Sequence, residues 1–82
     1  MISDHDIEGA LAALAQARGA GKTFCPSEVA RALAADWRPL MPELRRVAGR
    51  MQAQGTMQAF QKGAPVDPIA ARGPIRLGLP NN

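Results

Sequence analysis

The sequence predicts an α+β fold, three amphipathic helices with a small antiparallel sheet. Apolar residues recur at helical spacing in three separate stretches before Gly55. Glycine and proline punctuate the ends of those stretches. After Gly55 the pattern changes to short extended runs between turn-forming residues. With 82 residues, 46% of them hydrophobic, the chain makes one domain over residues 1–82. A domain this small has a thin core and no room for a deep pocket within it.

Ser3 begins the first helix. Asp6, three residues on, echoes a capping box, and the acidic first turn suits the helix dipole. Ile7, Leu11, Leu14 and Ala15 form one apolar stripe, and Gly19 and Gly21 end the helix. Lys22-Thr23-Phe24 is a short extended piece. Pro26 opens the second helix, with Ser27 and Glu28 as further start signals and Val29, Ala30, Leu33 and Ala34 as its buried face. Leu40, Leu44, Val47, Ala48 and Met51 mark the third helix, which stops at Gly55. Pro39 and Pro42 predict a tight turn over residues 38–41 and regular helix from about Pro42, because only the first turn has no intrahelical N–H bonds to lose.

Residues 56–61 read as a strand. Gly63, Pro65, Asp67-Pro68 and Gly73-Pro74 make residues 63–73 a loop. Ile75-Arg76-Leu77 is a second strand, and residues 78–82 read as a tail. The two strands pair as a hairpin, and the piece at residues 22–24 can add a third. Ile7, Leu11, Leu14, Val29, Leu33, Leu44, Val47, Met51 and Ile75 are the expected core. This order is the layout of a winged helix-turn-helix. The second and third helices form the helix-turn-helix pair, and the loop after the first hairpin strand forms the wing.

Four segments carry a resemblance. They are Phe24-Cys25-Pro26-Ser27-Glu28-Val29-Ala30-Arg31, Trp37-Arg38-Pro39-Leu40-Met41-Pro42, Gln61-Lys62-Gly63 with Pro65-Val66-Asp67-Pro68, and Ala71-Arg72-Gly73-Pro74-Ile75-Arg76. Together they resemble a bacterial family of small uncharacterised proteins, a domain of unknown function of the winged-helix class. The resemblance implies the fold and carries over no catalytic or binding residue.

Several chemistries lack their residues. Cys25 is the only cysteine, so no intrachain disulfide and no four-cysteine zinc site is expected. It reads as a packing residue at the start of a helix. Gly19-Ala20-Gly21-Lys22-Thr23 resembles the end of a phosphate-binding loop, but Gln16 stands where that motif needs its first glycine. Asp4, His5 and Asp6 are consecutive on a helix and point in different directions, so they do not converge on a metal. Trp37 reads as a core anchor or a surface hot spot. The acidic N-terminus and the lack of any long apolar run predict a cytoplasmic protein with no membrane contact. No cofactor, no metal and no enzymatic activity are expected.

Charge is the functional signal. The formal net charge is +3, and its distribution is uneven. Asp4, Asp6 and Glu8 stand in the first 17 residues, which hold no Lys or Arg. From Trp37 onward Arg38, Arg45, Arg46, Arg50, Lys62, Arg72 and Arg76 face only Glu43 and Asp67. With Leu40, Leu44, Val47 and Met51 inward, the far side of the third helix carries Pro42, Arg45, Arg46, Gly49, Gln52 and Ala53, with Arg50 on a flank. Gly49 and Ala53 would let the helix approach a groove closely. The expected DNA-contacting residues are therefore Arg45, Arg46, Arg50 and Gln52 on the helix, and Lys62, Arg72 and Arg76 on or beside the wing. The expected partner is double-stranded DNA, with a second copy of the chain or another protein as a further partner. The alternative is a protein-interaction adaptor with no DNA role.

Overall fold

Ser3 caps the first helix as its spacing to Asp6 predicts. Its hydroxyl accepts from the Asp6 amide at 3.1 Å, and the Asp6 carboxylate accepts from the Ser3 amide at 3.0 Å. The structure, a computed structural model, describes residues 2–80. Seven elements follow in order: α1 (Asp4–Arg18), β1 (Thr23–Phe24), α2 (Pro26–Leu33), α3 (Leu40–Ala53), β2 (Gln58–Gln61), β3 (Ala64–Val66) and β4 (Arg76–Gly78). The fold is α+β, three helices on one face of a four-stranded antiparallel sheet of order β1-β4-β2-β3. This layout is compatible with a winged helix-turn-helix. Among the described residues no helix is long and apolar enough to cross a membrane.

The third helix begins at Leu40, two residues before the expected start. The Leu40 amide donates to the Trp37 carbonyl at 3.0 Å and the Met41 amide to that of Arg38 at 3.1 Å. This tight entrance leaves Pro39 and Pro42 where a helix has no use for their missing N–H groups.

The stretch expected to be one loop over residues 63–73 differs most. Lys62-Gly63 forms a two-residue turn with Gln61 paired to Ala64, and both turn residues have positive φ, 52° and 81°. That is the backbone of a type I′ hairpin, whose twist matches the strands it joins. Ala64–Val66 is therefore a strand, and Pro65 is tolerated there because β3 is a sheet edge. The true loop is shorter and returns from Val66 to Arg76. Gly78, expected to start a tail, is the last residue of β4. It is paired with Thr23 and Gln58. Asn81 and Asn82 of the expected tail lie outside the described residues, as does Met1.

The core sits between the helices and the inner sheet face. Ile7, Leu11, Val29, Leu44, Val47, Met51 and Ile75 are buried, and Leu14 and Leu33 pack half-buried against them. Phe24, Met57, Ala59 and Leu77 complete the core from the sheet side. Strand alternation puts Phe24, Ala59 and Leu77 inward and leaves Thr23, Phe60 and Arg76 on the outer face.

Candidate nucleic-acid interface

Leu44, Val47, Ala48 and Met51 point inward, so α3 has the orientation expected of it. Its far side is nevertheless not bare. The Arg45 guanidinium donates to the backbone carbonyls of Ala71 at 2.7 Å and Gly73 at 2.6 Å, with a longer contact of 3.4 Å to Pro68. Gln52 Nε2 donates to the Val66 carbonyl at 3.1 Å, and its Oε1 accepts from the Ala59 amide at 2.8 Å. One carboxamide thus bridges β2 and β3 at a register pair. Between these residues lies Gly49, where a Cβ would stand 2.8 Å from Ile69 Cδ1 and 3.7 Å from Pro68 Cγ. The close approach that Gly49 permits is made by the chain itself.

Local chemistry explains why the loop folds back there. The Asp67 carboxylate accepts from the Ile69 amide at 2.8 Å, and the Asp67 carbonyl accepts from that of Ala71 at 2.9 Å. This Asx turn buries Pro68 against the helix and lines up the carbonyls that accept from Arg45. Gln61 Nε2 fastens the loop from the other side, donating to the Arg72 and Pro74 carbonyls at 2.5 and 3.2 Å.

The remaining α3 arginines face α1. Arg46 donates to both Asp4 carboxylate oxygens at 2.6 and 3.0 Å and to Glu43 at 2.7 Å. Arg50 reaches Asp4 at 3.5 Å and Glu8 at 3.3 Å. Hydrogen bonding to Arg46 holds the Asp4 carboxyl below its ordinary 3.8, and Asp4 with Glu43 pushes the Arg46 guanidinium further up. The acidic N-terminus and the basic second half, far apart in sequence, are thus neighbours in space.

The hairpin end has a different balance. Among the described residues, the Lys62 and Arg72 side chains are exposed and make no hydrogen bond or ion pair. Arg76 donates from Nε to Thr23 Oγ1 at 2.7 Å and from Nη2 to the Thr23 carbonyl at 2.8 Å. Both acceptors are neutral, and among the described residues no carboxylate forms an ion pair with it. Lys22 joins this group because β1 pairs with β4. Residue spacing could not show this, although the extended reading of residues 22–24 was the available signal. Lys22, Lys62 and Arg76 line one cleft of about 240 Å³ on the outer sheet face, with Phe60 and Leu79 as its apolar walls.

The other candidates make contacts within the chain. Trp37 is half-buried against the core, and the guanidinium carbons of Arg31 and Arg38 each stand 4.7 Å from its ring centroid. Cys25 is half-buried, and Ser27 Oγ donates to its sulfur at 3.1 Å. The Cys25 amide donates to Glu28 at 2.9 Å, which with Arg18 holds the Glu28 carboxyl below its ordinary 4.5. Asp4 is held by arginines and Asp6 by the helix cap. Among the described residues no three His, Cys, Asp or Glu side chains are grouped to hold a metal.

The sequence pattern of the family described as protein of unknown function DUF3253 matches residues 4–80. The chain belongs to that family. Its match spans every helix and strand of the fold. No curated protein matches the chain. The DUF3253 description names no activity, so the roles of this DUF3253 chain's residues rest on their geometry.

Proposed function

We propose that this domain is a winged helix-turn-helix that binds double-stranded DNA in the bacterial cytoplasm and catalyses no reaction. The observation that carries the reading is the group of cations without an ion-pair partner at the hairpin end. Lys22, Lys62, Arg72 and Arg76 have no carboxylate partner among the described residues, whereas Arg46 and Arg50 do. Binding therefore leans on the wing and its neighbouring strands. With Arg45 and Gln52 engaged by the chain's own backbone, base reading by α3 is weak and phosphate contact supplies most of the affinity. A second copy of the chain would supply the area that one small domain lacks.

Fluorescence anisotropy with random duplex over a salt series tests this. Four phosphate contacts give a log–log slope of roughly −3 to −4, at about 0.9 per phosphate. Lys62→Ala and Arg72→Ala each flatten the slope by about one, and Arg46→Ala leaves it unchanged. Absence of binding at low salt, with protein above the ~10⁻⁴ M end of non-specific affinities, refutes the reading. An adaptor role then takes its place. It is favoured by Ile69, a large hydrophobic residue 64% exposed on the loop over α3.

A further inference from the structure

We propose that the cleft on the outer sheet face binds a phosphate monoester, a ligand distinct from the backbone of duplex DNA. Three cations from separate segments converge there: Lys22 before β1, Lys62 in the hairpin turn and Arg76 on β4. Among the described residues no Asp or Glu lines the cleft. The carboxylate that senses Arg76 is Glu28, and it is already held by Arg18 and the Cys25 amide.

Arg76 is pre-oriented. Its two hydrogen bonds to Thr23 fix the guanidinium plane and use two of its five N–H groups, leaving the others for an anion. Lys62 adds an independent observation. It is the one non-glycine residue with positive φ among those described, at 52°. The type I′ turn accounts for that φ, but Asn, Asp or Gly is the ordinary choice at the position, so the turn itself does not call for a lysine. Phe60, the cross-strand partner of Arg76, supplies a flat apolar wall beside the cations.

Charge and size select the ligand. A monoester carries about −1.5 to −2 at neutral pH and presents three terminal oxygens. A backbone diester carries a single negative charge and can meet these cations one at a time, whereas a monoester engages all three at once. At about 240 Å³ the cleft is smaller than the roughly 300–1,000 Å³ of sites for drug-sized ligands. It holds a phosphoryl group with at most one ring against Phe60. Such a group can come from a free small molecule or from the terminal phosphate of a nucleic-acid strand.

The test is an amide NMR titration of the full chain with phenyl phosphate, and with one short single strand bearing either a 5′-phosphate or a 5′-hydroxyl. Phenyl phosphate is expected to give saturable shifts confined to Lys22, Thr23, Phe60, Lys62 and Arg76. Lys22→Gln and Lys62→Asn, which break no internal bond and suit the turn, should each weaken it about tenfold, as expected for a charge-assisted hydrogen bond. Preference for the 5′-phosphorylated strand assigns the site to strand ends. Equal binding of the two strands, with phenyl phosphate still bound, assigns it to a free small ligand. Absence of saturable shifts with phenyl phosphate, shifts equally large at Arg31 and Arg38, or unchanged binding in both variants overturns the proposal. Loss of duplex binding alone leaves it standing, and duplex binding without phenyl phosphate binding refutes it alone.

Discussion

Replacing Arg45 by Ala releases the loop from α3. Arg45 makes two short hydrogen bonds to loop carbonyls, 2.7 Å to Ala71 and 2.6 Å to Gly73, and a third contact too long to add much. Hydrogen bonds from a charged donor contribute about 1.5–3 kcal/mol each. The Ala71 bond is part-buried and keeps that value, whereas the Gly73 carbonyl is exposed and water replaces the lost donor. The expected cost is therefore about 2–3 kcal/mol. In a domain of this size that lowers Tm by roughly 10–20 °C. Urea unfolding followed by circular dichroism reads the change. Arg45→Lys recovers less than half, since a single ammonium cannot fork between two carbonyls. Duplex binding by the folded Arg45→Ala protein should match the parent. Stability within about 0.5 kcal/mol of the parent, the usual range for a surface change, would refute the clamp and return Arg45 to the pool of free cations.

Gln52→Ala should cost about 1–3 kcal/mol in urea unfolding, because it strips partners from the Ala59 amide and the Val66 carbonyl; faster hydrogen exchange at Ala59 accompanies it. Leu44→Ala should cost about 2–5 kcal/mol, since Leu44 is fully buried where α3 meets the core, and a loss under about 1 kcal/mol contradicts that placement. Asp4, Asp6 and Glu28 have carboxyls held below their ordinary values of 3.8, 3.8 and 4.5 by hydrogen bonds. Their contribution is complete above those values and is lost as pH falls through the lower folded values. Thermal midpoints between pH 2 and pH 7 should stay level down to about pH 5 and then fall, and Asp4→Asn should make that fall shallower.

The helices were legible because their information is local. The stripe through Leu44, Val47 and Met51 fixes which side of α3 faces inward, and the Ser3–Asp6 spacing fixes where α1 starts. β3 was not legible, since Pro65 argues against a strand until the chain order makes Ala64–Val66 an edge. The Lys62-Gly63 turn was hidden for a related reason, lacking the Asn-Gly or Asp-Gly pair that announces a type I′ hairpin. The candidate interface was read only by half. Periodicity shows that Arg45, Gly49 and Gln52 leave the core, but not what meets them outside it. Their partners lie in β2, β3 and the loop, and no local pattern encodes such contacts.

The ion pairs between α1 and α3 bear on how this surface responds to its medium. Asp4, Glu8 and Glu43 already stand where phosphates would meet Arg46 and Arg50. A polyanion arriving at that side exchanges one set of anionic partners for another instead of filling a vacancy. Raising the ionic strength gives no escape, because the screening that loosens the internal pairs weakens an incoming phosphate equally. At low salt the arginines are held, and at high salt they attract little. Only a change that acts on the acids alone, such as protonation or loss of Asp4 and Glu8, turns this side of α3 into a cationic one.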